Sequence, residues 1–322
     1  MSNFKVYRKI LSFSFVMFLI DLVGLAAIVG GAIGGYFIMN NKTDQALIGM
    51  GVGFLIGVII AALISYLITN RFKAAQLAII AKGVADGKLS DHPFKEGLES
   101  VKGRFGKITA FLFVASAIRG MFRQIGRVIN RIGTAVGGDV GNSVTSAINA
   151  AVDILLGYLI DCCLGWIMYR KDVGTAQAGC EGACIFFKNG KSLLRNVGRI
   201  FGMGFLSLAI VGGAFFGLFY LIGTQFPQTW QNLANEIAEI GTRHQIDIPT
   251  WILNPTYLMY FICAIGAIVF WSTVHSVLIR PFILVGVMRN FMAVGLKNIP
   301  SEADFKELEA KSPKFAKLRK KM

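Results

Sequence analysis

Four apolar runs, at residues 11–39, 46–69, 201–223 and 255–279, constrain this chain more than any other feature. Each is at least as long as the ~20 residues a helix needs to cross about 30 Å of hydrocarbon. A spanning segment must satisfy its backbone hydrogen bonds internally, so such runs become helices. With 54% of its 322 residues apolar and 16% charged, the chain is richer in apolar residues than most soluble domains. The expected fold is therefore all-α: a polytopic transmembrane helical bundle with four firm spans and at most six. Amphipathic helices on the cytoplasmic face should accompany them.

The formal net charge is +15, and its placement decides what that charge means. Residues 1–10, 70–146, 170–200 and 280–322 hold 31 of the 33 lysines and arginines. The segments placed outside, 40–45 and 224–254, hold only Lys42 and Arg243. This is the positive-inside asymmetry, and it favours an anionic inner leaflet as partner over nucleic acid. It implies a multi-pass protein of a cell membrane with both termini cytoplasmic, and the short loops suit a bacterial plasma membrane. The first apolar run is too long for a signal-peptide core and is expected to stay as an uncleaved span.

The middle of the chain is harder to place. Arg119, Arg123, Arg127 and Arg131 recur every four residues opposite an apolar face. Four arginines at a helix centre cost roughly 10 kcal/mol or more to insert. A surface helix facing anionic lipid is the expectation. Residues 147–169 form a fifth apolar helix carrying Asp153 and Asp161. Its insertion is marginal, because two acids nearly cancel its aliphatic residues.

An internal repeat bears on that ambiguity. FKEGLESVKGRFGKI from Phe94 matches FKELEAKSPKFAKL from Phe305 with one gap, and each follows an apolar span and an amphipathic stretch. A parallel duplication of one span–helix–tail unit is implied. Both hairpins then share an orientation, and the stretch between them must cross the membrane twice or not at all. Either 147–169 is re-entrant or residues 173–187 cross with it. The resulting division is a first hairpin with its amphipathic segment (1–107), a basic and acid-bearing middle (108–200), and a second hairpin with a basic tail (201–322).

Ionisable groups inside apolar runs are expensive and are functional candidates by default. Asp21, Asp153, Asp161 and His275 qualify, and Asp153, Gly157 and Asp161 share a helical face. The alternative for the two acids is an internal ion pair or a helix-end cap, and for His275 an interfacial position. Gly49, Gly53 and Gly57 form a small-residue stripe for a neighbouring helix, which offers a surface for a homo-oligomer. The outer loop carries an amphipathic helix with Trp230, Leu233, Ile237 and Ile240 on one face. Cys162, Cys163, Cys180 and Cys184 have no standard zinc spacing. No hydrolase, protease or nucleotide-binding motif is present, so neither enzyme activity nor a cofactor or metal is expected.

Residues 162–200 carry a Cys-rich span end, a Gly-Cys-containing amphipathic stretch, and Leu193, Leu194, Arg195, Asn196 and Arg199 before the next span. In these features residues 160–280 resemble the choline transporter-like solute carrier family. The large outer loop and several spans of that family are lacking, and no substrate residue carries over. The resemblance, with the intramembrane acids, implies a transporter or channel-like protein for a small solute or ion. The alternative is a non-transporting scaffold or lipid-interacting protein of the inner leaflet.

Overall fold

The computed structural model describes residues 1–39, 46–104, 116, 120, 141–194, 197–245 and 247–320. Every regular element among them is helical, and four helices are long and apolar enough to cross a membrane: Asn3–Met39, Ile48–Ala85, Gly198–Gly223 and Pro255–Lys297. The chain is an integral membrane protein of the all-α class. It divides into two compact units, one of Met1–Ile200 with Pro281–Met322 and one of Phe201–Arg280. The basic tail thus groups with the first two hundred residues.

In the first unit, helix α1 (Asn3–Met39) pairs with α2 (Ala46–Ile64). The stripe of Gly49, Gly53 and Gly57 faces α1 of the same chain. A Cβ on Gly53 would come within 2.8 Å of the Gly31 carbonyl carbon, and one on Gly57 within 2.6 Å of Ile28 Cα. Small residues are needed here because the two backbones touch. The neighbouring helix that this stripe meets is α1 of the same chain.

Helix α2 runs through a π segment, Ser65–Thr69, into α3 (Asn70–Ala85). Beyond the apolar span, α3 becomes the centre of a helical cap. Ala74 to Ala81 are all buried, so this stretch is enclosed on nearly every side rather than amphipathic. Its alanines let α1, α4 (Pro93–Arg104) and α5 (Gly141–Tyr169) approach closely. The first turns of α1 join them through Val6, Ile10, Phe13 and Met17. The same stretch leaves Phe4 and Phe15 exposed on its other side, followed farther along by Leu19, Leu22 and Val23. Helix α6 (Thr175–Leu194) folds back on α5, and the tail helices α12 (Glu302–Lys311) and α13 (Pro313–Arg319) cover α6 with Phe305, Leu308 and Phe315.

The second unit is a hairpin of its own. Helix α7 (Val197–Ser207) leads through a π segment, Leu208–Gly212, into α8 (Gly213–Gly223). Helix α9 (Pro227–His244) packs on α10 (Pro255–Val274). Ala234 and Gly241 of α9 are buried, Leu233, Ile237 and Ile240 are half-buried, and Trp230 Nε1 donates to the Gly223 carbonyl at 2.8 Å. The return helix continues through a third π segment, His275–Ile279, into α11 (Arg280–Lys297). Ser65–Thr69 and His275–Ile279 are 210 residues apart. In both places an apolar span runs through a π turn into a buried helix, and a short helix follows.

Candidate functional site

Of the ionisable groups that the sequence places in apolar runs, Asp161 is the one enclosed in the cap. Asp161 is 2% exposed, and its carboxylate lies 2.8 Å from Lys73 Nζ at the start of α3. Farther along, the Tyr169 hydroxyl donates to Asp86 at 2.8 Å. These two contacts set α5 parallel to α3. Asp153 precedes Asp161 by eight residues, about 12 Å along the helix axis, and is exposed. The acids share a helical face, yet one is enclosed and the other is not. From Tyr158 to Met168 the helix is buried in protein.

A second buried acid stands on α6. Glu181, 2% exposed, accepts from Trp166 Nε1 at 2.9 Å and lies 3.0 Å from Arg170 Nη1. The Arg170 guanidinium sits over the Trp166 ring, and its Nε and Nη2 bind Asp172 in the turn between α5 and α6. A carboxylate this deep is tolerated because it accepts a hydrogen bond from Trp166 and faces the Arg170 cation.

The cysteines of α5 and α6 converge, as the fold-back of the turn requires: a Cβ on Gly182 would meet Cys163 Sγ at 3.4 Å. All are free and buried. Burial pushes the Cys180 and Cys184 thiols up to about 12 and raises Cys162 and Cys163 as well. A thiol held protonated is a poor metal ligand, and no cluster of metal-ligating side chains occurs among the described residues. At the edge of the cap, Lys188 pairs with Asp304. That contact and the Ser301 hydrogen bonds of the α12 capping box hold Asp304 at about 2.

His275 belongs to a different cluster, inside the second unit. Its Nδ1 lies 3.1 Å from Ser207 Oγ, which accepts from Trp271 Nε1 at 3.1 Å and donates to the Gly204 carbonyl at 2.7 Å. Asp21 stands half-buried in the first span. Arg119, Arg123, Arg127 and Arg131 lie outside the described residues, as do Arg195 and Asn196.

Sequence reasoning singled out Asp161 and His275 but not their partners. Lys73 is legible only as a cation just past an apolar run, and Ser207 as a lone hydroxyl within one. Trp166 and Arg170 carry no signal of their own, because their roles depend on α6 folding back. No known protein family, curated protein or solved structure matches the chain.

Proposed function

We propose that this chain is a non-transporting membrane scaffold that holds a helical cap against the anionic surface of the inner leaflet, with both termini cytoplasmic. The observation that carries this reading is the enclosure of Asp161 on Lys73 inside the packed cap. A carboxylate serving a transported ion needs access to a path. This one is neutralised within the protein, and Asp153 stands apart from it. Glu181 follows the same rule with Trp166 and Arg170. The first hairpin adds support, since its two helices meet backbone to backbone through glycines. Exposed Arg8, Arg71, Lys88, Lys95, Lys102, Lys317 and Lys320 supply the positive surface, each basic group near an anionic leaflet contributing about 1 kcal/mol.

The test compares two measurements on the purified protein. Proteoliposomes should show no ion or choline flux above empty vesicles, and Asp153→Asn and Asp161→Asn should leave that baseline unchanged. Vesicles containing phosphatidylglycerol should bind the protein's soluble-side surface far better than phosphatidylcholine vesicles, with the difference fading in high salt. Flux that Asp161→Asn abolishes would overturn the reading. A second reading, transport of a small solute or ion, draws on Asp21 in the first span; it requires flux that Asp21→Asn removes.

A further inference from the structure

Helices α3 and α5 lie side by side in a defined register. A Cβ on Gly165 would stand 3.5 Å from the Ala81 Cβ, and one turn farther on the Tyr169 hydroxyl reaches Asp86. Each residue of α5 is thus level with the residue about 84 positions earlier in the continuous helix Ile48–Ala85. Burial follows the same register: it begins in α5 at Tyr158 and in α3 at Ala74.

Helix α5 does not stop where the cap stops. Residues 141–157 carry it on by about 25 Å at 1.5 Å per residue. In the shared register residue 154 is level with Asn70, residue 147 with Leu63 and residue 141 with Gly57. Leu63, Leu67 and Ile68 are exposed side chains of the second apolar span, so these are hydrocarbon depths. The charges agree with that placement. Residues 141–152 hold none, and Asp153 falls level with Thr69, just before Asn70 and Arg71 end the apolar run. Asp161 is enclosed with Lys73. The two acids that make insertion of this helix marginal therefore both avoid the hydrocarbon, one inside protein and one at headgroup level.

We propose that residues 141–157 form a re-entrant membrane helix, seated among the acyl chains of the leaflet on the cap side, with its N-terminus toward the bilayer centre. A helix at this depth can hold its own backbone hydrogen bonds in lipid. Its open side continues the lipid-facing surface of the span beside it, and Ile154, 48% exposed, lies where that side begins. The chain leaves the cap at Arg104, the end of α4, and is back in it at Tyr158. Residues 173–187 supply no second crossing, because α6 doubles back along the buried part of α5, with Gly182 against Cys163. The helix thus enters and leaves by one face of the membrane. This goes beyond the scaffold reading and holds whichever side of the membrane the cap occupies.

The experiment spin-labels Ala147→Cys, Ala151→Cys and Ile154→Cys, on successive turns of α5, in the full chain in phosphatidylcholine vesicles. The five native cysteines are buried, and wild type treated alike gives the background. Collision rates with oxygen, which concentrates in hydrocarbon, and with a polar nickel chelate, which stays in water, report depth. Depth should increase from 154 to 147, with Ala147→Cys about 10 Å deeper than Ile154→Cys and equal to a Leu63→Cys reference. Equal depth at all three positions would mean a helix lying flat on the surface and overturns the proposal. So does free access of the nickel chelate, which means water. Access of neither reagent means that a second copy covers the helix, and this too overturns it. Wild type supplies a check that no substitution can spoil. Phosphatidylcholine with a diazirine midway along its acyl chain should attach within residues 147–154 as it does within 63–68, and not within 158–168. Adducts in 63–68 without any in 147–154 refute the re-entrant helix.

Discussion

Lys73 and Asp161 meet at 2.8 Å across the junction of α3 and α5, the aspartate side chain enclosed and the lysine side chain a third exposed. The lysine stem crosses apolar surface while its head reaches the acid, in the manner of an amphipathic side chain. Removing Lys73 takes away a positive charge that the enclosed carboxylate faces. Lys73→Met should therefore cost about 2 kcal/mol, below the 3–5 kcal/mol of a fully buried pair because water screens the lysine. The Lys73→Met/Asp161→Leu double variant should recover part of that loss. Melting in detergent, arranged as a double-mutant cycle, checks both.

The glycine contacts of the first hairpin predict a sharp positional contrast. Gly53→Ile forces a side chain into the Gly31 backbone and should separate α1 from α2, lowering the melting temperature markedly. Gly51→Ala, two residues away and with open space around its Cβ position, should leave it unchanged. Cross-linking between engineered cysteines at Ala27 and Val58 should fall with the first substitution only.

Asp304 lies below the ordinary carboxylate range because Lys188 and the Ser301 groups bind its charged form. A depressed folded-state value means stability that is present above the unfolded value of about 4 and lost as pH falls toward about 2. Wild type and Asp304→Asn should thus differ in melting temperature at pH 6 and converge between pH 4 and pH 2. A constant difference across that window would refute the assignment.

Burial of the thiols predicts their silence. With Cys180 and Cys184 pushed up to about 12, their thiolate fraction at neutral pH falls roughly a thousandfold below that of an ordinary cysteine, since only the thiolate reacts. Maleimide should label the native protein very slowly and all five cysteines promptly after denaturation. Rapid native labelling of Cys184 would show that α12 does not stay seated on α6.

The spans and the duplicated pattern were legible in the sequence because lipid demands unbroken apolar length, a demand written residue by residue. The cap was not. Helix α3 is enclosed by small residues, Ala74, Ala75, Ala78 and Ala81, whose burial leaves no clear apolar stripe to read. Asp161 stood out because an acid in an apolar run is costly, yet its partner is distant in the chain and follows only from the parallel approach of α5 to α3. Asp153, read as its companion, occupies different surroundings, because helical spacing fixes a shared face but not what covers each turn of it.

The helix from Ile48 to Ala85 is 38 residues long without interruption, about 57 Å at 1.5 Å per residue. Its apolar part is long enough to cross a bilayer, and its other part is the helix around which the cap packs. Such a rod cannot lean without carrying its far end with it. Bilayer thinning or lateral squeeze on the first hairpin would then arrive at Lys73 and Asp161 as leverage, with the Ser65–Thr69 turn as the one flexure in the arm.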